Sequence, residues 1–257
     1  MENRESSFAI FPAQIEAMFL KNHKKTFNNI CEHNGLCISF DDNSSGLQVL
    51  QNIFVDREYA DYFPFYQDAI IVDIGAHYGY FSLFADVNSG TNARIFSFEP
   101  DPKNYAILNK NISSQGSKKI KTFPFAIGGK NRTASLHLGH STNSSLIEDY
   151  QLLSKEHSST SVDVRALDEV LTELNIDKID FLKIDCEGAE YEIIAQSSDD
   201  SLKKASIISM EFHDMKNVNQ TAQTLISRLT SLGFHVVKFQ YERTNYGLNY
   251  GKLIFQK

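Results

Sequence analysis

The stretch Ile70-Ile71-Val72-Asp73-Ile74-Gly75-Ala76-His77-Tyr78-Gly79 decides the fold. Ile70 to Ile74 is apolar at every position but Asp73, which suits a strand covered on both faces and not one with a wet side. Gly75 breaks the run where the chain must turn, and Tyr80, Phe81, Leu83 and Phe84 then fall on a helix. A buried strand, a glycine turn and a helix make half of a βα unit, and repetition of that unit builds a mostly parallel sheet.

Downstream the alternation continues. Arg94 to Phe98 predicts a second strand ended by Glu99-Pro100, after which Asp101-Pro102 supplies a helix N-cap and a proline at the first helical position. Tyr105, Leu108 and Ile112 line one face of that helix. Further strands are expected over Ile120 to Ile127, Arg132 to Leu138 (a short hairpin strand), Ile179 to Ile184 and Ile207 to Phe212. Helices are expected from Asp168, over Glu187 to Gln196, and from Val218 through Leu232 with Gly233 as the stop. Phe234 to Tyr241 and Lys252 to Phe255, joined by a turn through Asn245 and Gly247, suggest an antiparallel pair at the sheet edge. Residues 139–160, rich in Ser, Thr, Asn and His, are expected to form a surface loop or lid. Residues 1–68 read as an N-terminal cap on a main domain of residues 69–257. Tyr59, Tyr62, Phe63, Phe65 and Tyr66 would be the hydrophobic joint between them.

A net charge of -7 argues against a generic binder of phosphate backbones, so no nucleic-acid partner is expected. No apolar run approaches the ~20 residues that span a bilayer, and Met1 to Ser7 are polar; a cytoplasmic location with no membrane partner is the expectation. Cys31, Cys37 and Cys186 form neither an even disulfide framework nor a C-x-x-C knuckle, and fit reduced thiols.

In an open α/β sheet ligands bind beyond the carboxyl ends of the strands, where strand order reverses. Gly75-x-x-x-Gly79 brings backbone close to a ligand but differs from the G-x-G-x-x-G that seats a pyrophosphate, which disfavours an NAD-linked oxidoreductase. Glu99 follows the glycines by roughly 20 residues, where a carboxylate can accept from both ribose hydroxyls. Together they point to a ribose-bearing ligand without a diphosphate. Asp185, Glu187, Glu211 and His213 fall at the ends of the later strands.

Three blocks carry a family resemblance: Val72-Asp73-Ile74-Gly75-Ala76-His77-Tyr78-Gly79-Tyr80-Phe81-Ser82, Phe98-Glu99-Pro100-Asp101-Pro102-Lys103-Asn104, and Leu182-Lys183-Ile184-Asp185-Cys186-Glu187-Gly188-Ala189-Glu190. In order and spacing they resemble the FkbM family of S-adenosylmethionine-dependent methyltransferases, over about residues 70–213. The resemblance implies a class I methyltransferase fold, a doubly wound α/β sheet of seven strands, mostly parallel, with one antiparallel strand near its edge. It also implies O-methylation, usually of a hydroxyl on a sugar, polyketide or related small metabolite. Gly75 and Gly79 would make room for the methionine part of the cofactor, Glu99 would hold the ribose, and Ala126 with Ile127 would border the adenine. Asp73, Ala76, His77, Tyr80, Phe81, Pro100 and Asp185 complete the expected cofactor-binding set, with Asp73 equally readable as a structural acceptor for the turn. Asp185, Glu187 and His213 are the candidate catalytic bases or orienters, and no metal ligands are assigned.

Two positions depart from the family pattern: His77 stands where Asn is usual, and Cys186 where an aliphatic residue is usual. A nucleic-acid methyltransferase is disfavoured because Asp185-Cys186-Glu187-Gly188 replaces an Asn-Pro-Pro-Tyr or Asp-Pro-Pro-Tyr motif. A noncatalytic cofactor-binding scaffold of the same fold stays open at this stage, and turnover would separate it from an enzyme.

Overall fold

The computed structural model describes residues 31–33, 36–38, 44–54, 56–138, 145–146, 158–214, 219–243 and 249–257. In chain order the strands are β1 (Cys31–His33), β2 (Leu36–Ile38), β3 (Ile70–Ile74), β4 (Arg94–Phe98), β5 (Ile120–Phe123), β6 (Ala126–Gly128), β7 (Arg132–Leu138), β8 (Ser158–Ala166), β9 (Ile179–Ile184), β10 (Ala205–Asp214), β11 (His235–Arg243) and β12 (Asn249–Gln256). Seven of them form the main sheet in the order β11-β12-β10-β9-β3-β4-β5. β3 pairs in parallel with both β4 and β9, and β9 with β10. β12 is the antiparallel strand, inserted between β10 and β11. The chain builds outward from β3 through β4 to β5 and then returns to β9 on the other side, so strand order reverses between β3 and β9.

Helices cover both faces. On one face Val72, Ile74, Phe96 and Phe98 pack with Val170, Ile193 and Leu229 of the Leu167–Glu173, Glu190–Gln196 and Ala222–Ser231 helices. On the other, Ile71, Ile95, Phe181 and Ile207 meet Leu83 and Phe84 of the Tyr80–Asn88 helix and Leu108 of the Pro102–Gln115 helix. That second layer also receives Leu50, Ile53 and Phe54 of the Ser44–Phe54 helix, and Tyr59 and Phe63. Tyr59 meets Phe81 edge-on at 4.9 Å and Phe63 meets Phe84 at 5.3 Å, while Tyr62 and Tyr66 stay exposed. Of the five aromatics read as a joint, then, Tyr59 and Phe63 are buried and Phe65 packs at the margin.

The structure corrects three boundaries. The strand expected over Ile120 to Ile127 is two strands: β5 pairs with β4 in the main sheet, and β6 pairs with β8 in a three-stranded sheet ordered β6-β8-β7. Pro124 lies between them and has no N–H to carry a ladder onward. The helix expected from Glu187 starts at Glu190, because Glu187 and Gly188 take positive φ values of 51° and 102° that no right-handed helix accommodates. The last residues of the expected lid, 158–160, belong to β8. The rest of that lid, Ser145 and Leu146 excepted, lies outside the described residues, as do Val218 and the turn through Asn245 and Gly247. Asp101 does cap the Pro102–Gln115 helix, its side chain accepting from the Lys103 N–H at 2.8 Å. No helix among the described residues is long and apolar enough to cross a membrane.

Candidate active site

Alternation along four adjacent strands builds the site. On the face that carries Ile71, Phe181 and Ile207, the next row toward the carboxyl ends is polar: Ser97, Asp73, Lys183 and Ser209, side by side in register. All four are buried. Lys183 Nζ lies 3.1 Å from Asp73 Oδ1 and donates to the Gly75 carbonyl at 2.7 Å, while Ser82 Oγ donates to Asp73 Oδ2 at 2.7 Å. Asp73, fully buried, thus has both oxygens beside protein partners; it ties strand, helix and turn together.

One row further out stand Asp185, Glu211 and Lys252, the last two cross-strand neighbours, and beyond them His213 faces Tyr250. Asp185 Oδ2 accepts from the Tyr59 hydroxyl at 3.2 Å and lies 3.6 Å from Lys183 Nζ. Burial acts to raise the Asp185 pKa, but the charges of Lys183, His213 and Lys252 and the Tyr59 hydrogen bond outweigh it and hold the carboxyl below its ordinary value. Lys252 pairs with Glu58 at 2.6 Å and sits 3.9 Å from the centre of the Tyr59 ring. The segment before β3 therefore contributes two side chains to the site.

His213 is ringed by carboxylates. Its Nδ1 lies 3.2 Å from Glu190 Oε1, and its Nε2 lies 3.2 Å from Glu187 Oε2 and 3.4 Å from Glu211 Oε1. Burial works to lower its pKa, yet the Glu187 charge and the hydrogen bonds to Glu190 and Glu211 carry it well above the usual histidine value. Ser145, which lies between β7 and β8, bridges to His137 and donates its hydroxyl to the Glu187 carbonyl at 2.6 Å. The loop thereby touches the turn that carries Glu187.

Across the switch point, the Gly75 and Ala76 N–H groups both donate to the Phe98 carbonyl, and the His77 N–H donates to Glu99 Oε2 at 2.8 Å. Glu99 Oε1 accepts from the Asp101 N–H at 2.9 Å. Gly75, Ala76, His77, Glu99 and the adjoining Pro100 are thus one unit, and the Asp185 N–H joins it through the Ile74 carbonyl at 3.1 Å. Gly79, with φ 81°, faces Leu108: a Cβ there would lie 2.4 Å from Leu108 Cδ1. Tyr80 and Phe81 are buried among aromatic rings, Tyr80 5.8 Å from Tyr78. Ala126 and Ile127 are buried in β6, and Ile127 joins the core of the opposite face.

Glu99 is 5% exposed, and burial, only partly offset by its two backbone donors, pushes its pKa from 4.5 to about 7. Between those values the folded protein binds a proton that the unfolded chain has released, so this group makes stability fall as pH rises through that window. Glu99→Gln is expected to remove that slope, worth up to about 3 kcal/mol across the window. The amide can satisfy only one of the two backbone donors, so absolute stability also drops. Urea unfolding from pH 5 to pH 8 checks it: an unchanged slope in the variant would mean Glu99 does not titrate there.

Lys183, Lys252, Tyr59, Glu58 and Glu190 belong to this site although the sequence reading did not assign them to it. The lysines had a signal, since each interrupts an apolar strand on the parity of Asp73 or Glu211. Tyr59 had none, because its partner Asp185 is 126 residues away.

A family model described as the methyltransferase FkbM domain matches residues 73–236 of this chain. Methyltransferase 1 of Beauveria bassiana is 28% identical over 203 residues, which cover 72% of this chain and 80% of the relative. The 2-O-methyltransferase NoeI of Sinorhizobium fredii is 26% identical over 163 residues, 58% of this chain and 65% of that protein. The 31-O-demethyl-FK506 methyltransferase FkbM of Streptomyces tacrolimicus is 25% identical over 222 residues, 74% of this chain and 82% of that protein.

Proposed function

This chain belongs to the FkbM methyltransferase family, and from that premise we propose that it O-methylates a hydroxyl of a sugar, polyketide or related small metabolite. S-adenosylmethionine is the cofactor that this membership brings, and when bound it supplies an electrophilic methyl group. The donor set of the crevice fits it. Glu99 keeps a lone pair on each oxygen beyond the backbone N–H it accepts, which suits the paired hydroxyls of a ribose. Asp185, held ionised, offers negative charge to a cationic ligand.

The observation that carries the reading is the ionisable cluster of Asp185, Glu187, Glu211 and His213 beside the β3–β9 switch point, inside the region that the family model matches. Moving a methyl to a hydroxyl oxygen calls for little more than near-attack alignment and a group that receives a proton, and this cluster supplies such groups. The names of two relatives, a 2-O-methyltransferase and a 31-O-demethyl-FK506 methyltransferase, support oxygen as the acceptor atom.

A metabolite extract incubated with the protein and methyl-labelled S-adenosylmethionine tests the reading by mass spectrometry. A labelled methyl ether on a small hydroxylated metabolite is the expected product. Label found only on nitrogen or carbon would overturn the O-methylation reading, and no transfer at all would point to a scaffold.

A further inference from the structure

We infer that Glu211 takes the proton of the acceptor hydroxyl, with His213 as the fixed cation that positions it; this rests on the O-methyltransferase reading above. A neutral imidazole has one N–H and one lone pair. In His213 both ring nitrogens face carboxylate oxygens, Nδ1 toward Glu190 and Nε2 toward Glu187 and Glu211, at 3.2 to 3.4 Å. A lone pair aimed at a carboxylate is repulsive, so both nitrogens donate and the ring is an imidazolium.

The carboxylate at Nδ1 is itself fixed in place. Glu190, fully buried, accepts the His213 backbone N–H at 2.9 Å on the oxygen that faces Nδ1, and its other oxygen accepts the Gly188 N–H at 2.7 Å. A base needs an open lone pair, and His213 has none to offer. Its place is that of a positioning residue.

Among the three carboxylates around the ring, side-chain exposure separates the roles: Glu190 is 0% exposed, Glu187 15% and Glu211 24%. Glu211 also makes the longest contact with the ring. Asp185, close by, is held ionised by Lys183 and Tyr59 and has the low proton affinity of a poor base. Glu211 faces His213 on its own strand, Lys252 across the ladder on β12, Asp185 at the end of β9, and Glu58 and Tyr59 from the segment before β3, while Glu187 from the turn after β9 shares His213 Nε2 with it. Lys252 is committed to Glu58. Burial and the Asp185 charge raise the proton affinity of Glu211 more than His213 lowers it, which moves it toward the working pH of a base.

In the step, an acceptor oxygen lone pair forms the C–O bond while the C–S bond pair stays on sulfur, and the O–H proton passes to a Glu211 carboxylate oxygen. A sulfonium and a carboxylate become a neutral thioether and a carboxylic acid, so charge balances, and the partly exposed acid then returns its proton to water.

The test pairs transfer with a measurement that needs no acceptor. With methyl-labelled S-adenosylmethionine and a metabolite extract, Glu211→Gln is expected to lower transfer by about 10²- to 10⁴-fold while calorimetric cofactor affinity stays within about twofold of the parent. His213→Asn removes the cation and should move the rising limb of the pH–rate profile to higher pH, which a merely structural role would not do. NMR of nitrogen-labelled histidine in the parent should show both His213 ring nitrogens protonated at about pH 7.5. Transfer that survives Glu211→Gln, or a His213 nitrogen without its proton at that pH, overturns the proposal alone. A parent protein that transfers no label overturns the function and the proposal together.

Discussion

Lys183→Met is expected to destabilise the protein by about 3 to 5 kcal/mol, because deleting one partner of a buried ion pair strands the other. Asp73 is fully buried, and without the ammonium 3.1 Å away it keeps, among the described residues, the Ser82 hydroxyl on its other oxygen. The Gly75 carbonyl loses its donor in the same stroke. A lone buried carboxylate escapes its desolvation cost by taking up a proton, so the loss should be smaller at pH 5 than at pH 8. Adding Asp73→Asn to the variant should restore part of the stability, since a neutral amide costs less to bury than an unpaired charge. Denaturant unfolding of the parent, the single and the double variant at both pH values checks it. A loss below about 1 kcal/mol would place the pair among those that contribute like a surface contact.

Gly75→Ala should cost about 4 kcal/mol or more, in the range reserved for gross steric conflict. A Cβ at this position would sit 1.8 Å from the Asp185 carbonyl oxygen and 2.8 Å from its carbon, and these are backbone atoms that no rotamer change can move aside. The φ of 78° adds its own penalty. Relief requires β3 and β9 to part where the Asp185 N–H meets the Ile74 carbonyl, so cofactor affinity should fall with stability. Gly79→Ala is the control: its Cβ would meet the tip of the Leu108 side chain, which can swing, leaving chiefly the left-handed backbone cost of about 1 to 2 kcal/mol. Equal losses in the two variants, measured by unfolding and calorimetry, would refute this division. Gly75 thus lets two strand ends of the protein meet at the turn that borders the crevice.

Local chemistry was legible in the sequence where neighbours in the chain decide it. The apolar run of β3, the Asp101-Pro102 helix start and the placement of Glu99 beside the Gly75 turn all depend on residues close by or on a single βα unit. Strand parity holds which side chains share a face, a signal the sequence reading did not use. It did not tell which strands lie side by side, and the polar layer exists only because β3, β9, β10 and β12 are neighbours. β12 enters the sheet from the far end of the chain, bringing Lys252 opposite Glu211. Pro124 was a local signal passed over: the missing N–H marks where one apparent strand divides between two sheets. His213 was legible as a candidate, but its carboxylate surroundings were not, since they depend on three side chains from two separate chain segments.

The claim at the centre of this account is that the crevice between the Gly75 turn and Glu99 holds S-adenosylmethionine, and calorimetry of the parent and Glu99→Ala tests it most directly. The parent should bind S-adenosylmethionine and its demethylated product and show no heat with NAD. At pH 8, where Glu99 is mostly ionised, Glu99→Ala should remain folded and bind both more weakly by about 1 to 3 kcal/mol, the scale of hydrogen bonds to a charged group. Binding of NAD with no response to the other two ligands, or full cofactor affinity in Glu99→Ala, would contradict it.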